Sequence, residues 1–377
     1  MTSTQVTERA FPVTPVRPPT LETLPLAVAA NLASARARTR SAIMAVVKAD
    51  GYGHGAVPIA TAAVDAGAEW LGVTDLAEAA TLRAAGLTVP ILSWLNPAGV
   101  DACLAAAERI DVAVGSADEL RDLLAGAEAT VRVHLQLDTG MARGGCPRHE
   151  WDELLGLARR GQLSRRIDVV GLMGHLPLAD QADPPTNRPA VARMHEARRA
   201  AAKAGLGPLI VHLSATAGAL TDPATHFGMV RIGAGLVGID PSETVMLHGA
   251  SRLTASIVHS TTVEARTSVG YGGDHVTDRP TRLGVLGVGY ADGIPRDLAR
   301  DAAVEIHGRR CRIVGRVSMD QIVVDTGPDP VPRGTTATVF GPDGGATPSI
   351  HDWARWARTI PHTIVTGIGP RVRRSIG

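Results

Sequence analysis

Aromatic residues are scarce. Phe, Trp and Tyr together make up 3% of the 377 residues, with only three tyrosines and three phenylalanines. A core this poor in rings rests on aliphatic side chains, so tyrosine is not routine filler. Each tyrosine follows a glycine: Gly51-Tyr52, Gly270-Tyr271 and Gly289-Tyr290. Glycine makes tight turns, and it also lets backbone approach a ligand. These are therefore turn tyrosines or site tyrosines. Cysteine is scarce too. Cys103, Cys146 and Cys311 are widely spaced and odd in number. That excludes a disulfide framework and a CxxC metal site, and it points to a reducing compartment. No sign of charge dominates, because 38 Lys and Arg face 37 Asp and Glu. No global field therefore recruits nucleic acid or an anionic membrane. No apolar run reaches the ~18 residues of a membrane span. The start, MTSTQVTERAFPVTPVRPP, lacks the apolar core of a signal peptide. The expectation is a cytoplasmic protein with neither a nucleic-acid nor a membrane partner.

What is present suffices for a large core. Hydrophobic residues make up 45% and charged residues 20%, near the soluble average and far from disorder. The length suits two domains. Prolines 12, 15, 18 and 19 predict an extended tail over residues 1–20. Residues 21–250 then alternate short apolar runs with helix-length Ala/Arg/Glu/Leu stretches. The runs are Ile43–Val47, Trp70–Val73, Val89–Leu92, Ile110–Val114, Val131–Leu137, Ile167–Met173, Leu209–Leu213 and Met229–Gly238. They are continuous rather than alternating, as buried parallel strands are. Asp75 and Ser116 sit where N-caps belong, and Gly86 and Gly205 where helices stop. Eight strand–helix units in this length predict an α/β barrel of the (β/α)₈ kind. A doubly wound sheet is the alternative, weakened because no GxGxxG follows the first strand. Residues 251–377 read as a second, β-rich domain. Its expected strands are Thr254–Glu264, Thr281–Val288, Val304–Val314 and Gln321–Val324, with one helix over Ile350–Arg358.

Several segments could carry chemistry. In VVKADGYGHGA, Lys48 closes a strand and a glycine-rich turn follows. The C-terminal ends of barrel strands form the catalytic face. A lysine desolvated there becomes a nucleophile toward carbonyls; otherwise it is a snorkelling side chain. The clustered glycines, Tyr52 and His54 favour function. In HLQLDTGMARGG, Arg143 lies beyond a strand and turn, as an anion contact or a plain surface arginine. His175 and His212 stand at or near strand ends, where acid/base, orienting and purely structural roles all remain open. No HxH or HExxH spacing supports a metal. Arg231 lies inside an apolar run, so its charge needs partners. Gly233 and Ala234 follow and could offer N–H groups to an anion, since late barrel loops favour phosphate. Tyr271, Tyr290 and the Arg316-Val317-Ser318-Met319-Asp320 segment mark strand-to-turn junctions that suggest one shared site.

Together VVKADGYGHGA, MVRIGAGLVGI, VGYADGIPR and GRVSMDQ resemble the alanine racemases, from about Leu24 to the end. The resemblance implies an α/β barrel with a C-terminal β domain, and pyridoxal 5'-phosphate as cofactor. It implies a small amino-acid substrate and a head-to-tail homodimer with sites shared between subunits. By the same resemblance Lys48 holds the cofactor as a Schiff base, and Tyr271 is the opposing base. Arg231 faces the pyridine nitrogen, with His212 as its orienting neighbour and His175 beside the catalytic tyrosine. Arg143 lies near the cofactor's phenolic oxygen and the substrate. Tyr52, Thr216, Gly233 and Ala234 match phosphate-binding positions. Tyr290, Met319 and Asp320 match positions on the substrate path and at its carboxylate. Tyr271, Tyr290 and Met319 would come from the second subunit. Two bases on opposite faces suit racemisation. Arginine is too weak an acid to protonate the pyridine nitrogen, which implies a weaker electron sink and suppressed transamination.

The sequence departs from the family in places. Gln136 replaces a frequent lysine whose carbamate orients the arginine matching Arg143. A glutamine forms no carbamate, though its amide hydrogen-bonds and chloride could supply the negative charge. Pro370 replaces a frequent tyrosine and brings no donor. Thr216 and Ser318 replace a usual serine and a frequent cysteine. The alternatives are another amino acid as substrate, a decarboxylase-like reaction, or a non-catalytic cofactor-binding protein. No HCGG-type or CESGD-type decarboxylase segment is present.

Overall fold

The computed structural model describes residues 15–96, 99–181, 184–342 and 344–377. It divides into two compact units. One holds Thr23–Ala250 with Ile376–Gly377, and the other Ser251–Ser375 with the residues up to Glu22. Among the described residues, no helix is long and apolar enough to cross a membrane.

A short strand β1 (Thr20–Thr23) comes first. Eight parallel strands then close into a barrel: β2 (Ala42–Val46), β3 (Trp70–Val73), β4 (Ile91–Ser93), β5 (Ile110–Val114), β6 (Val131–Gln136), β7 (Ile167–Met173), β8 (Ile210–His212) and β9 (Met229–Ile232). Closure is made by β9 on β2, with Met44 beside Arg231. The strands read as apolar runs because helices cover one face and the barrel interior fills the other. Asp75 and Ser116 cap their helices by accepting from Glu78 N and Glu119 N. Gly86 and Gly205 end theirs with φ of 86° and 79°. The run Met229–Gly238 is not one strand, in contrast to the expectation. The ladder stops at Ile232, and Ala234–Val237 winds into a 3₁₀ turn.

The interior of the barrel is mostly apolar, with Met44, Trp70, Leu92, Met173 and Met229 packed together. His134 stands edge-on to Trp70, with ring centroids 5.5 Å apart. Its ring fits only because residue 171 is glycine: a Cβ there would meet His134 Nδ1 at 2.1 Å.

The second unit is built on β10 (Ser251–Val263), β11 (Ser268–Val269), β12 (His275–Val276), β13 (Thr281–Leu286), β14 (Ala303–Ile306), β15 (Arg309–Arg312), β16 (Ile322–Gly327), β17 (Thr336–Phe340) and β18 (Arg373–Ile376). The main sheet runs β15-β14-β17-β10-β1-β18, with β13 on β10 and β16 on β13. Two expectations need correction here. Val304–Val314 is a hairpin rather than one strand, because His307 and Gly308 take φ of 51° and 75° and turn the chain. A second helix, Pro361–Thr366, accompanies Ile350–Trp356; six residues are too few to show a periodicity. The expected tail is tied down at its C-terminal end. Arg17 N donates to Ser256 Oγ, Arg373 N donates to Pro19 O, and Thr20 opens β1. Residues 1–14 of that tail lie outside the described residues.

Gly171→Ala should destabilise the protein by about 1–3 kcal/mol, the usual cost of overpacking a core. Chemical denaturation followed by tryptophan fluorescence checks it. An unchanged transition would show that His134 has room to move.

Candidate active site

In the barrel unit, the site residues sit at the C-terminal ends of the strands or just beyond. Lys48 follows β2. The turn after it is left-handed: Ala49, Asp50, Gly51 and Tyr52 have φ of 52°, 53°, 61° and 55°. Left-handed backbone costs a residue with a Cβ about 1–2 kcal/mol, so such a run needs support. Support comes from Glu78, which accepts from Ala49 N at 2.7 Å and Thr74 N at 2.7 Å. Asp50 Oδ1 accepts from Ala56 N at 2.8 Å, and Gly55 N donates to Asp50 O at 2.9 Å. The turn thereby fixes Lys48 and Tyr52 relative to β2. Sequence reasoning missed Glu78. Its signal was the Asp75-x-x-Glu78 spacing at a helix start.

Lys48 is one of only two lysines in the chain, the other being Lys203. Burial lowers the Lys48 pKa below the usual 10.5, Arg143 adds to this, and Glu78 opposes it. Arg143 itself is exposed. Its loop is organised by Asp138, whose Oδ1 accepts from the N–H of Gly140, Met141 and Ala142. Gln136 lies under this loop: a Cβ on Gly144 would meet its Nε2 at 3.5 Å.

Tyr52 reaches toward the end of β9. Burial pushes its phenol up to about 12, while the Ala234 N–H donates to it. Thr216 Oγ1 accepts from Gly233 N at 3.2 Å and Gly235 N at 3.1 Å. A Cβ on Gly233 would stand 2.2 Å from Tyr52 Oη, so only glycine leaves this cradle open. Ser214 Oγ is buried nearby in sequence with no hydrogen-bond partner among the described residues.

Arg231 is buried, and burial lowers its pKa to about 10, so it remains a cation at neutral pH. Its Nη1 donates to His212 Nδ1 at 2.9 Å. Its Nη2 donates to Gly174 O at 2.9 Å, His175 Nδ1 at 3.0 Å and Leu213 O at 3.1 Å. Burial first, then Arg231, Arg143 and Lys48, lowers His175 to about 3. His212 is likewise held well below its usual value by burial, Arg231 and His134. Both imidazoles are neutral and turn a lone pair to the guanidinium.

The β unit carries its own cluster. Gly270 and Gly272, with φ of 72° and 75°, flank Tyr271 and turn its ring outward, 71% exposed. The turn is tied to the loop after β15 by the Arg316–Asp274 ion pair. Tyr290 N donates to Ser318 O at 3.0 Å and Ala291 N to Met319 O at 2.9 Å, which joins two of the three junctions. Gly289 has no alternative, because a Cβ would stand 2.4 Å from Met319 O. Arg371, which sequence reasoning missed, pairs with Asp320 at 2.8 Å and with the buried Asp292 at 3.2 Å. Tyr290 and Met319 are 40% and 53% exposed. Among the described residues, no group of three His, Cys, Asp or Glu is placed to hold a metal.

The apoprotein should react with an amine-specific acylating reagent at Lys48 with a midpoint below the usual lysine value, read by mass spectrometry against the exposed Lys203. Arg143→Gln removes a cation beside the ammonium. The Lys48 pKa should rise, and labelling at fixed pH should slow. Equal labelling in both proteins would contradict the electrostatic account.

The sequence matches the family model for the alanine racemase N-terminal domain over residues 26–241 and that for the C-terminal domain over 250–376. It is 41% identical over 348 residues to an alanine racemase of Salinispora tropica, covering 91% of this chain and 94% of that one. The structure matches that of alanine racemase from Streptomyces lavendulae with a TM-score of 0.91 at 39% identity, over 97% and 98% of the two chains. It matches alanine racemase from Bartonella henselae, solved with covalently bound pyridoxal phosphate, with a TM-score of 0.83 at 27% identity, over 96% and 100%. The chain belongs to the alanine racemase family.

Proposed function

We propose that this protein interconverts L- and D-alanine, with pyridoxal 5'-phosphate as cofactor and Lys48 and Tyr271 as the two bases. The observation that carries the reading is the lysine itself: a half-buried amine of lowered pKa at a barrel strand end, fixed by a left-handed turn. The donor set fits the cofactor. Tyr52, Thr216 and the N–H groups of Gly233 and Ala234 surround a cradle that a Cβ at residue 233 would fill, as a phosphate site requires. With Pro370 offering no donor, phosphate retention rests on these barrel groups.

Pyridoxal phosphate, when bound, supplies an electron sink that acidifies the substrate's α-proton. Lys48 Nζ takes or returns that proton on one face, and its lowered pKa keeps more of it as free amine near neutral pH. The Tyr271 hydroxyl serves the other face. Arg231 keeps its own protons and so leaves the pyridine nitrogen unprotonated. Neutral His175 and His212 orient Arg231 rather than act as acids. Arg143 contacts substrate and cofactor oxygens, with Gln136 beside it. Tyr290, Met319 and Asp320 line the substrate path and receive its carboxylate.

The active unit is a head-to-tail homodimer in the cytoplasm, in which residues 251–377 of one subunit complete the site on residues 21–250 of the other. The outward exposure of Tyr271, Tyr290 and Met319 supports this, since isolated rings and thioethers at turns gain little unless a partner covers them.

Holoenzyme with L-alanine in heavy water should lose the α-proton NMR signal as D-alanine appears on chiral analysis. Lys48→Ala and Tyr271→Phe should each reduce the rate by about 10²–10⁴-fold, the usual range for removal of an acid–base group. Exchange without D-alanine, or unchanged variants, would overturn the assignment. Mixing the two inactive variants should restore about a quarter of wild-type activity if sites are shared across a two-fold interface. No recovery after exchange of subunits would place both bases in one chain.

A further inference from the structure

A file of polar groups runs through the apolar barrel, starting behind Arg231. His212 Nε2 lies 2.9 Å from His134 Nδ1, and His134 Nε2 lies 3.3 Å from Asp111 Oδ2. Asp111 Oδ1 accepts from Arg132 Nε at 2.8 Å. His134 and His212 are fully buried and Asp111 nearly so, whereas the Arg132 side chain is 44% exposed. The hydrogens in this file have one consistent arrangement. A guanidinium has donors and no acceptor. His212 must therefore offer a lone pair at Nδ1, and its hydrogen sits on Nε2. His134 must then accept at Nδ1 and carry its hydrogen on Nε2, where it donates to Asp111. A doubly protonated His134 would force a hydrogen onto His212 Nδ1, against Arg231. Between Arg231 and Asp111 every donor thus points toward the carboxylate, which also accepts from Arg132 on its far side.

We propose that His134 and Asp111 are positioning residues for the racemisation: they lock His212 in the Nε2–H tautomer, so that its Nδ1 holds the Arg231 guanidinium in one orientation. The inference rests on the racemase reading for its catalytic consequence, but the tautomers themselves do not. The segment containing His134 is conspicuous in the sequence without a role for that residue, and Asp111, a lone carboxylate in an apolar run, carries no spacing signal. The direction of the file also separates a positioning role from a packing role. A packing role asks only for volume at residue 134. A positioning role asks for an acceptor toward His212 and a donor toward Asp111.

Long-range proton–nitrogen-15 NMR of the apoprotein reads the tautomers directly. Both His134 and His212 should appear as neutral Nε2–H rings. An imidazolium at His134, or the Nδ1–H tautomer at His212, would overturn the proposal whether or not the wild-type enzyme racemises alanine. Two variants test the consequence in the holoenzyme. His134→Leu strands the His212 Nε2–H, so His212 should shift toward the Nδ1–H form. The kcat for alanine should then fall by about 30-fold or more while KM changes less than about threefold, the signature of a group that acts after binding. His134→Gln, whose amide can accept from His212 and donate to Asp111, should keep the tautomer and restore kcat to within about fivefold of wild type. Equal losses in the two variants, or an equal rise in KM, would mean that residue 134 only fills space. Failure of wild-type holoenzyme to racemise alanine, with the tautomers as stated, would overturn the functional reading and leave the relay standing.

Discussion

A guanidinium enclosed by the barrel, with carbonyls and imidazoles as its immediate partners, is the constraint on which the site depends. Taking a cation out of water costs several kcal/mol unless its hydrogen bonds are met. Arg231 meets them with the carbonyls of Gly174 and Leu213 and with the lone pairs of His175 and His212. Each partner is dictated in return. Strand β7 must end so that Gly174 presents its carbonyl, and β8 so that Leu213 does. The two histidines must remain neutral. A protonated imidazole there would lose the lone pair that accepts from the guanidinium, so their acid–base capacity is given up for orientation.

The same trade between strain and position governs the turn after Lys48. A left-handed run through residues that carry a Cβ is unfavourable by itself. It survives because Glu78 accepts from Ala49 N and Asp50 ties the run to the next helix by accepting from Ala56 N. The result is that one short segment places Lys48 and Tyr52 with little freedom. Chemistry at a fixed atom gains from such preorganisation more than from any single contact. On the β unit, glycines at 270 and 289 do the corresponding work. Gly289 leaves room for the Ser318 and Met319 carbonyls, and Gly270 supplies the left-handed φ of 72° that precedes Tyr271.

The barrel was legible because buried parallel strands leave continuous apolar runs and their helices begin at side-chain caps such as Asp75 and Ser116. The strand ends were less so. The run Met229–Gly238 looks uniform in hydropathy, yet backbone turns at Gly233, which periodicity does not register. His307-Gly308 splits a strand for the same reason. The residues proposed to carry the chemistry stood out by type and by their motifs: Lys48 and Tyr271 are rare kinds, and Arg231 is a charge inside an apolar run. Glu78, Asp111, His134 and Arg371 did not, because they act through another side chain that lies far away in sequence. Only the fold brings His134 to His212 across 78 positions. The resemblance supplied roles for matched residues and none for these partners.

The account turns on Arg231 as the fixed cation that sets protonation around it. The most direct test is the pH titration of the His175 ring by NMR in the apoprotein and in Arg231→Met. In the wild type the ring should remain neutral until pH approaches about 3. Burial is the larger cause and remains in the variant. Loss of the cation should nevertheless raise the midpoint clearly toward the ordinary histidine value, because a like charge beside the ring is gone. A wild-type midpoint near the ordinary value of about 6.5, or no change on removing Arg231, would contradict the account.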